Sequence, residues 1–352
     1  MKVLILNRRC IKHPQRGGAE AYTMELARAV LQTGGKVEWF SSRPKGTQSE
    51  EVIEGVKFVR RGNELTTHIY GFLYALKKSE DWIILDEFNG IGYFTFFLKN
   101  SVLLIHQLYG EFWNAQFGFL GYFFRFLERL FLKLYRKRDT ITVSASTYQD
   151  LKKLGFEKAR IIHNCIDIKP LKDLPKKEEK LNLVYLGRLK RTKNPEDAVK
   201  AFLLIKEKVK ETKLNIIGDG PMMSYLKEVY GKVPDITFWG YLDDRAKYRI
   251  LERSHLLLVP SLREGWGRVV VEANAVGTPA IGYDVPGLRD SIKDKVTGFL
   301  VKDHVQMAQK AILLWENREL YKTMSENALR WARNFIQEIT KEEFINFLRS
   351  RL

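Results

Sequence analysis

Cysteine is scarce in this chain, and long apolar runs are missing. Only Cys10 and Cys165 occur among the 352 residues, so no disulfide framework is indicated and a reducing cytosol is the expected setting. No stretch reaches the roughly 20 uninterrupted apolar residues of a spanning helix. The apolar run within residues 1–9 is too short for a signal peptide and predicts a first β-strand instead. We therefore expect a cytoplasmic protein.

Metal-binding motifs are also lacking. No Asp-x-Asp pattern stands at a predicted strand end, and Asp243-Asp244 has the wrong spacing. We therefore predict chemistry that needs neither a metal nor a resident cofactor.

Negative charge is under-represented. The chain has 59 Lys and Arg against 42 Asp and Glu, a net charge of +17. This balance favours an anionic partner, whether nucleic acid, anionic lipid or a phosphorylated substrate, although a solvated lysine-rich surface would have the same composition. Because no aromatic-basic RNA-binding pattern accompanies the charge, we do not expect nucleic acid to be the partner.

Short apolar runs alternate with helical patterns along most of the chain, which predicts parallel sheets with crossover helices. The predicted strands of the first half are 2–6, 37–41, 56–59, 82–85, 102–105, 140–143 and 161–163, and those of the second half are 181–186, 213–217, 236–239, 255–259 and 279–283. Residues 169–180 are polar, contain proline and have no periodicity, so we predict a linker there. The fold class is thus α/β, with two doubly wound Rossmann-like domains facing across a cleft that is the expected site.

Glu264 and Glu272, separated by seven residues, form the most informative pattern. The apolar run 255–259 precedes them, and Gly265 and Gly267 stand between them, which we interpret as strand, loop and helix. A glycine-flanked helix N-terminus offers free N–H groups to a phosphate, while carboxylates accept hydrogen bonds from sugar and ribose hydroxyls. The pattern favours a nucleotide-sugar pocket. The β-branched run at 269–271 alone would equally fit a buried strand with solvated glutamates at its ends.

A basic loop follows the first strand of the second half. Residues 187–195 contain four cations after a glycine and before a proline. Arg188 offers a planar fork and Lys193 a compact charge, a suitable pair for a diphosphate, although a solvated basic loop would have the same composition.

Two further loops are weaker candidates. Gly218-Asp219-Gly220 after the next strand allows close approach of a ligand, a weak signal by itself. In the run 238–242, the backbone and rings such as Tyr241 could hold a nucleobase, whereas packing in the core explains Phe238 and Trp239 equally well.

Taken together, these segments resemble the GT-B-fold retaining glycosyltransferases of family 4 over nearly the whole chain. The resemblance includes Gly17-Gly18-Ala19-Glu20 after the first strand, residues 162–167, which are similar to the family's pNGvD segment, and residues 296–300. It implies metal-independent transfer of a hexosyl unit, with retention, from a nucleotide-diphosphate sugar (UDP- or GDP-linked) to a saccharide or lipid-linked acceptor in glycan biosynthesis. It also implies an N-terminal acceptor-side domain at 1–168, a nucleotide-sugar-binding domain at 181–330 and a final helix, 331–352, that returns to the first domain.

The resemblance implies roles for individual residues. Arg188 and Lys193 would neutralise the departing diphosphate, Glu264 would contact the transferred sugar, and Glu272 would bind the ribose hydroxyls. The remaining donor-binding candidates are Gly17, Gly18, Gly187, Gly218, Gly220, Tyr241, Gly265, Trp266, Gly267, Arg268 and Val269. His106 stands where many relatives have a histidine near the donor sugar, but a histidine bonded to a loop carbonyl explains it as well.

This chain departs from the family's pattern in three places. His163 and Cys165 replace the commoner proline and glycine of pNGvD, Asn194 stands where glycine is usual, and Trp266 conservatively replaces a common phenylalanine. None of these departures removes a catalytic candidate.

Residues 112–138 are unusually rich in aromatic and basic side chains. Helical spacing places Arg125, Arg129, Lys133 and Lys137 on one stripe. We hypothesise an interfacial helix that contacts an anionic membrane carrying a lipid-linked acceptor, so that the protein is peripheral at the cytoplasmic face; a core helix with one cationic edge is the alternative. A transferase for soluble sugars, or a noncatalytic nucleotide- or RNA-binding protein, are the competing functions.

Overall fold

The computed structural model describes residues 1–110 and 112–351; Glu111 and Leu352, which fall within the predicted ranges 1–168 and 331–352, lie outside it, as do the side chains of Ala115 and Gln116 within 112–138. The chain divides into two compact α/β units, residues 1–164 with 337–351, and residues 165–336. Among the described residues, no helix has the length and apolar character to cross a membrane.

The first unit is built on an eight-stranded sheet of order β3-β4-β2-β1-β5-β6-β7-β8, parallel except for β3 against β4. Its strands are β1 (Lys2–Leu6), β2 (Lys36–Ser41), β3 (Glu50–Ile53), β4 (Val56–Arg60), β5 (Ile83–Phe88), β6 (Ser101–Ile105), β7 (Asp139–Thr142) and β8 (Ala159–Ile161). Its helices are α1 (Gly18–Gln32), α2 (Thr67–Leu76), α3 (Phe112–Phe117), α4 (Leu120–Tyr135), α5 (Ala145–Lys153) and α13 (Gln337–Arg349). The core lies on both faces of this sheet, and its central strands β5 and β6 are buried along their whole length because a parallel sheet is covered on both sides.

The second unit has a six-stranded, wholly parallel sheet of order β11-β10-β9-β12-β13-β14. Its strands are β9 (Leu181–Leu186), β10 (Thr212–Ile217), β11 (Ile236–Gly240), β12 (Leu256–Val259), β13 (Ala280–Tyr283) and β14 (Gly298–Val301). Its helices are α6 (Pro195–Lys208), α7 (Met223–Tyr230), α8 (Asp244–Arg253), α9 (Arg268–Asn274), α10 (Leu288–Ser291), α11 (His304–Glu316) and α12 (Arg318–Ala332). Asp243 caps α8 by accepting the N–H of Ala246 at 2.8 Å.

The unit boundaries differ from the predicted ones. The segment 169–180, predicted as a linker, belongs to the second unit. Leu171 N–H donates to the Ala275 carbonyl, and the Lys177 ammonium donates to the Glu252 and Val276 carbonyls and to the Thr278 hydroxyl at 2.8–3.2 Å. Burial lowers the pKa of Lys177 to about 7. The segment was predicted as a linker because its composition does not show that the ammonium of one of its lysines is bonded to carbonyls.

The final helix begins later than 331. Residues 331–336 remain in the second unit, where Trp331 donates to the Ser291 carbonyl at 3.0 Å. Only α13 joins the first unit, and Lys341 pairs there with the buried Glu25 at 3.2 Å. The sequence pattern also missed β3, a short polar edge strand, and β14.

Candidate functional site

The strand order of the second unit reverses at β9, which has β10 on one side and β12 on the other. Ligands of doubly wound folds bind outside the carboxyl ends of strands at such a switch point. The loops that leave β9 and β12 here are residues 187–194 and 260–267, the two loops with the predicted cations and Glu264. Leu262 N–H donates to the Thr192 carbonyl at 3.0 Å, so the backbone holds these loops together.

The loop after β9 ends in a residue with left-handed backbone geometry. Asn194 has φ 48° and ψ 51° and caps α6, whose first residue is Pro195. Glycine is the usual residue for this conformation, and asparagine is the next most tolerant. The departure from the family's glycine therefore keeps the turn, and the Asn194 amide gains a 2.6 Å hydrogen bond to Asp197.

Gly218 and Gly220 pack against the neighbouring loop. A Cβ on Gly218 would lie 2.0 Å from the Gly187 carbonyl oxygen, and one on Gly220 would lie 2.4 Å from that of Leu189. Leu189 N–H donates to Asp219 O at 2.9 Å across the same contact. The sequence predicts that a ligand comes close to these two glycines, but in the structure the backbone of the basic loop takes that place. The two glycines thereby allow the loop that contains Arg188 to pack against the end of β10.

Lys193 and Glu264 form an ion pair. The same Glu264 oxygen accepts the Ser261 hydroxyl at 2.9 Å, and its side chain is nearly buried. A Cβ on Gly287 would lie 2.4 Å from the Glu264 carbonyl oxygen, so the backbone at Glu264 is tightly enclosed. The guanidinium of Arg188 makes no hydrogen bond or ion pair with a described residue. The structure therefore brings two of the four predicted catalytic residues, Lys193 and Glu264, into contact. It leaves a third, Arg188, uncommitted in the same loop as Lys193.

Glu272 lies within α9 and is bonded through both oxygens. Oε1 accepts from Arg268 Nε at 3.0 Å, and Oε2 pairs with Lys247 Nζ at 3.2 Å. Arg268 also pairs with Asp167, and Lys247 with Asp244 at 2.8 Å. These five residues form a chain of alternating charge, which we call the Glu272 chain.

Electrostatics within the Glu272 chain favour the charged forms. Burial alone would lower the pKa of Arg268, but Glu272 and Asp167 outweigh it and leave that pKa raised. Burial likewise opposes the charge on Lys247, whose pKa is raised by Glu272 and Asp244. Sequence reasoning missed Lys247 as a partner because it comes from α8, twenty-five positions away with no spacing signal.

The helix that carries Glu272 begins after a left-handed glycine. Gly267 has φ 84°, and a Cβ there would lie 2.7 Å from the Ser291 hydroxyl. The first N–H groups of a helix have no carbonyl partner within it, and those of Arg268 and Val269 fall here. The β-branched run at 269–271 is helical in the structure. On the buried face of this helix, Val270 and Ala273 pack into the hydrophobic core beside the sheet.

The aromatic candidates separate into buried and exposed residues. The Trp266 ring is buried against Phe335 at 4.8 Å between ring centroids, so only its backbone can face a ligand. Tyr241 is exposed, as is Trp239, whose ring N–H donates to Asn215 at 2.9 Å. Tyr241 makes no hydrogen bond or ring contact with another described residue.

The candidates of the first unit lie at its own switch point, between β1 and β5. His106 follows β6, and its Nε2 lies 3.0 Å from Oε1 of Glu87, a buried residue at the end of β5. Glu87 also accepts the Thr23 hydroxyl at 2.8 Å. The partner of His106 is therefore a carboxylate and not a loop carbonyl, a fact that sequence spacing did not show.

Gly17 and Gly18 begin α1. Gly17 N–H donates to the Glu20 carboxylate at 2.6 Å, and burial, with Glu87 nearby, raises the pKa of Glu20. At φ −153° Gly17 has ordinary extended geometry with open space around its Cβ position. Its backbone conformation does not require a glycine.

Comparison with known families decides the class of this protein. Residues 16–169 match the family described as "Glycosyltransferase Family 4", and residues 169–331 match "Glycosyl transferases group 1". The chain belongs to glycosyltransferase family 4. The predicted fold class, GT-B with two Rossmann-like domains, is also confirmed by solved structures that match over the whole chain.

Three individual proteins illustrate the similarity of this family 4 glycosyltransferase. N-acetyl-alpha-D-glucosaminyl L-malate synthase of Bacillus anthracis is 34% identical over 153 residues, 42% of this chain and 39% of that protein. Sucrose-phosphate synthase from Thermosynechococcus elongatus has a TM-score of 0.79 at 18% identity, covering 99% of this chain and 98% of that one. Anabaena HepE, solved with UDP and glucose, has a TM-score of 0.72 at 18% identity, covering 99% and 100%. The first curated relatives are matched over less than half their length.

Proposed function

We propose that this glycosyltransferase moves a hexosyl unit from a nucleotide-diphosphate sugar to a saccharide or lipid-linked acceptor, with retention of configuration and without a metal. The observation that carries the proposal is the meeting of Lys193, Glu264 and an uncommitted Arg188 at the switch point of the second unit. Solved structures of similar fold include one with UDP and glucose bound, which supports a nucleotide-sugar donor, and we propose a UDP- or GDP-linked sugar.

The two cations would act on the leaving group. In the proposed step the bond between the anomeric carbon and the diphosphate oxygen breaks, and negative charge grows on the diphosphate. Arg188 and Lys193 would stabilise this charge, and preorganised electrostatic stabilisation of this kind usually contributes more to catalysis than any other single effect. Lys193 would exchange the Glu264 carboxylate for a phosphate oxygen, which leaves Glu264 to accept hydrogen bonds from hydroxyls of the transferred sugar.

The acceptor oxygen would attack the anomeric carbon from the face that the diphosphate leaves. Its proton passes to the departing phosphate oxygen, so the configuration is retained and no protein base is required. In this proposal His106 would bind the transferred sugar. When its Nε2–H donates to Glu87, Nδ1 is left as an acceptor, and it is this nitrogen that we assign to a hydroxyl of the sugar.

The Glu272 chain would recognise the ribose. An ionised carboxylate has about four lone-pair positions, so Glu272 can accept two ribose hydroxyls while it keeps its bonds to Arg268 and Lys247. Backbone N–H groups from Gly265 to Val269 would face the diphosphate, and Gly17 and Gly18 are the donor-binding candidates within the first unit. Gly187, Gly218 and Gly220 would shape the basic loop, and Tyr241 would contact the base.

On the acceptor side we propose contact between residues 112–138 and an anionic membrane, at its cytoplasmic face. In the structure α4 is amphipathic in an unusual way, because rings and aliphatic side chains are exposed along it. This supports an interfacial helix over a core helix. A transferase for soluble sugars would have no use for such a surface, and sedimentation with anionic vesicles separates the two.

A thermal-shift experiment tests the donor site. UDP-, GDP-, ADP- and dTDP-sugars are added to the purified protein, first without metal and then with magnesium. We expect one nucleotide series to raise the melting temperature without magnesium, and Glu272→Ala to abolish that rise. Glu211→Ala changes an exposed glutamate of the same unit and is the matched control.

Two results would contradict the proposal. If nucleotides raise the melting temperature of Glu272→Ala as much as that of the parent protein, the nucleotide binds elsewhere. A shift by RNA but by no nucleotide sugar would favour the noncatalytic alternative.

A further inference from the structure

Helix α4 has two apolar faces on opposite sides. One face, formed by Gly121, Glu128, Leu132 and Tyr135, is buried. At 100° per residue, the other face is centred about half a turn away. It carries Phe119, Phe123, Phe126, Leu130 and Leu134, all exposed, with Phe126 at 62%. A helix docked on a domain needs only one apolar face, so the second face is left without a partner among the residues that the structure describes.

The buried face cannot exchange places with the exposed one. Glu128 accepts the N–H groups of Tyr109 and Gly110 at 2.8 Å and the Trp113 ring N–H at 3.2 Å. Tyr135 donates its hydroxyl to the buried Asp86 at 2.7 Å. These polar bonds fix the rotation of α4, and the aromatic stripe is therefore held on the outside.

Helix α2 also has an exposed apolar face in addition to its buried one. On α2, Gly71 and Ala75 are buried, and a Cβ on Gly71 would lie 2.5 Å from the Tyr93 ring. Ile69, Leu73 and Leu76, at helical spacing, form a stripe that is exposed, Ile69 to 59%. Sequence periodicity did not single out α2, because a short helix with apolar residues all round is typical of a core element.

Aromatic rings join the two helices. Phe72 of α2 lies 6.2 Å from Phe94 between ring centroids, and Phe94 lies 5.6 Å from Phe131 of α4. Phe97, in the same turn, lies 5.8 Å from Phe72 and is 52% exposed. The exposed stripes of α2 and α4 thus belong to adjoining helices with an exposed ring between them.

The charges beside the exposed stripe of α4 have one sign. Arg129, Lys133, Arg136 and Lys137 are exposed, and none forms an ion pair with a described residue. Lys99 is exposed next to the turn that contains Phe97. The only acidic residue of α4 is Glu128, and its carboxylate is buried on N–H donors. The surface therefore presents rings and aliphatic side chains next to uncompensated positive charge.

We propose that α2, Phe97 and α4 together form one lipid-binding surface that inserts its rings into a bilayer of anionic lipids. Interfacial helices combine buried apolar area with attraction of Lys and Arg to anionic headgroups, and both are present here. A second copy of this chain fits poorly, because pairing the same surfaces would bring like charges together. The inference rests on the membrane contact proposed above and extends it from one helix to two.

Vesicle sedimentation of the full chain tests the surface. The probes are vesicles of phosphatidylcholine alone and vesicles with about one third phosphatidylglycerol. We expect binding to the anionic vesicles only. The double variants Ile69→Ser/Leu73→Ser on α2 and Phe123→Ser/Phe126→Ser on α4 should each lower the bound fraction at least fivefold. Val229→Ser, at an exposed apolar position of the second unit, is the control and should bind like the parent protein.

The outcomes separate the one-helix and two-helix versions. If the α4 variant loses binding and the α2 variant does not, the two-helix surface is wrong and the single-helix contact remains. If the parent protein binds no anionic vesicle, both are wrong. A dimer that the same substitutions dissociate would show that a second copy covers this face, which overturns the lipid proposal. Each variant is first checked for the nucleotide-induced thermal shift, which reports folding and donor binding independently of lipid.

Discussion

The charged side chains of the two candidate surfaces are arranged in opposite ways. In the second unit Lys193, Glu264 and Glu272 are largely buried, and each is held by an opposite charge. On α4 of the first unit, cations such as Arg129 and Lys133 are exposed and unpaired beside exposed rings. A buried charge requires a partner because its desolvation is costly, whereas an exposed one does not. The first arrangement suits a small charged ligand that must be placed accurately, and the second suits a broad, deformable anionic surface.

The largest expected effect tests whether the paired charges of the second unit are catalytic. Lys193→Ala should lower kcat by about 10²–10³, equivalent to about 3–4 kcal/mol, because one stabilising charge at the leaving diphosphate is lost. The measurement is the initial rate of sugar transfer at saturating donor.

Lys206→Ala provides the matched control, because this lysine pairs with Asp235 in the same unit away from the switch point. A loss of less than fivefold in Lys193→Ala would show that the Lys193–Glu264 pair is structural. Thermal unfolding of both variants separates a loss of folding from a loss of chemistry.

A second prediction concerns the backbone that holds these charges. Gly218→Ala would place its Cβ 2.0 Å from the Gly187 carbonyl oxygen, so the basic loop must move or the residue must leave φ +131°. We expect the free energy of unfolding of the second unit to fall by about 3 kcal/mol, measured by urea denaturation.

Gly240→Ala is the comparison variant. Gly240 also has a positive φ, 69°, but no atom lies within 4 Å of its Cβ position. It should cost only the local backbone strain, about 1 kcal/mol. Equal losses in the two variants would mean that the contact between the loops contributes nothing.

These two regions also differ in how far the sequence predicts them. The switch-point loops were predicted from their residues: a glycine, four cations and a proline after one strand, and two glycines after the next. The left-handed turn at Asn194 and the contact between the two loops came only from the structure. Spacing also gave the helical position of Glu272. It did not give Lys247, Asp167 or Glu87, because those partners come from other elements and any cation or carboxylate would satisfy the local pattern.

The helical surface was predicted only in part. Spacing predicts the basic stripe of α4 as far as Lys133, whereas Lys137 lies beyond the end of the helix at Tyr135. Which face is buried depends on Glu128, which accepts hydrogen bonds from N–H groups fifteen or more residues away along the chain. The aromatic content of α2 is the same for a core helix and an exposed one. The segment 169–180 shows the opposite case: its polar composition predicts a linker, but the ammonium of the half-buried Lys177 is bonded to two carbonyls and a hydroxyl of the second unit.

Acid should destabilise both units in a similar way. Burial lowers the pKa of His68 in the first unit and of His255 in the second to about 4. His255 Nδ1 accepts the Asn182 N–H at 3.1 Å, which requires an unprotonated nitrogen. The unfolded chain, with a histidine pKa near 6.5, takes up a proton that the folded protein excludes. The free energy of unfolding should therefore fall as the pH drops from about 6.5 to 4, by on the order of 3 kcal/mol per histidine.

Urea denaturation between pH 7.5 and 4.5 measures this dependence. His255→Gln retains an acceptor for the Asn182 N–H and does not titrate. It should therefore make the free energy of unfolding of the second unit less dependent on pH, and leave the pH dependence of the first unit unchanged. A slope unchanged by both His255→Gln and His68→Gln would show that neither buried imidazole is responsible.

The smallest effect tests the Glu272 chain, the region where the paired arrangement is most extensive. Lys247 pairs with Glu272 at 3.2 Å, and we infer that it holds the carboxylate in the orientation that the ribose requires. Lys247→Met should weaken discrimination between a ribonucleoside diphosphate and its 2′,3′-dideoxy analogue by about five- to tenfold, or ~1 kcal/mol, the usual worth of one hydrogen bond. Isothermal titration with both nucleotides measures the ratio of the two dissociation constants.

Arg245→Met changes a neighbouring exposed cation of α8 and should leave that ratio unaltered. The ratio is informative because a variant that merely destabilises the unit weakens the binding of both nucleotides equally. A misplaced Glu272 weakens the binding only of the nucleotide that has ribose hydroxyls. If Lys247→Met weakens both to the same extent, Lys247 supports the fold of α8 and not the ribose contact. In that case Arg268, which holds the other oxygen of Glu272 and is itself paired with Asp167, is sufficient to orient the carboxylate.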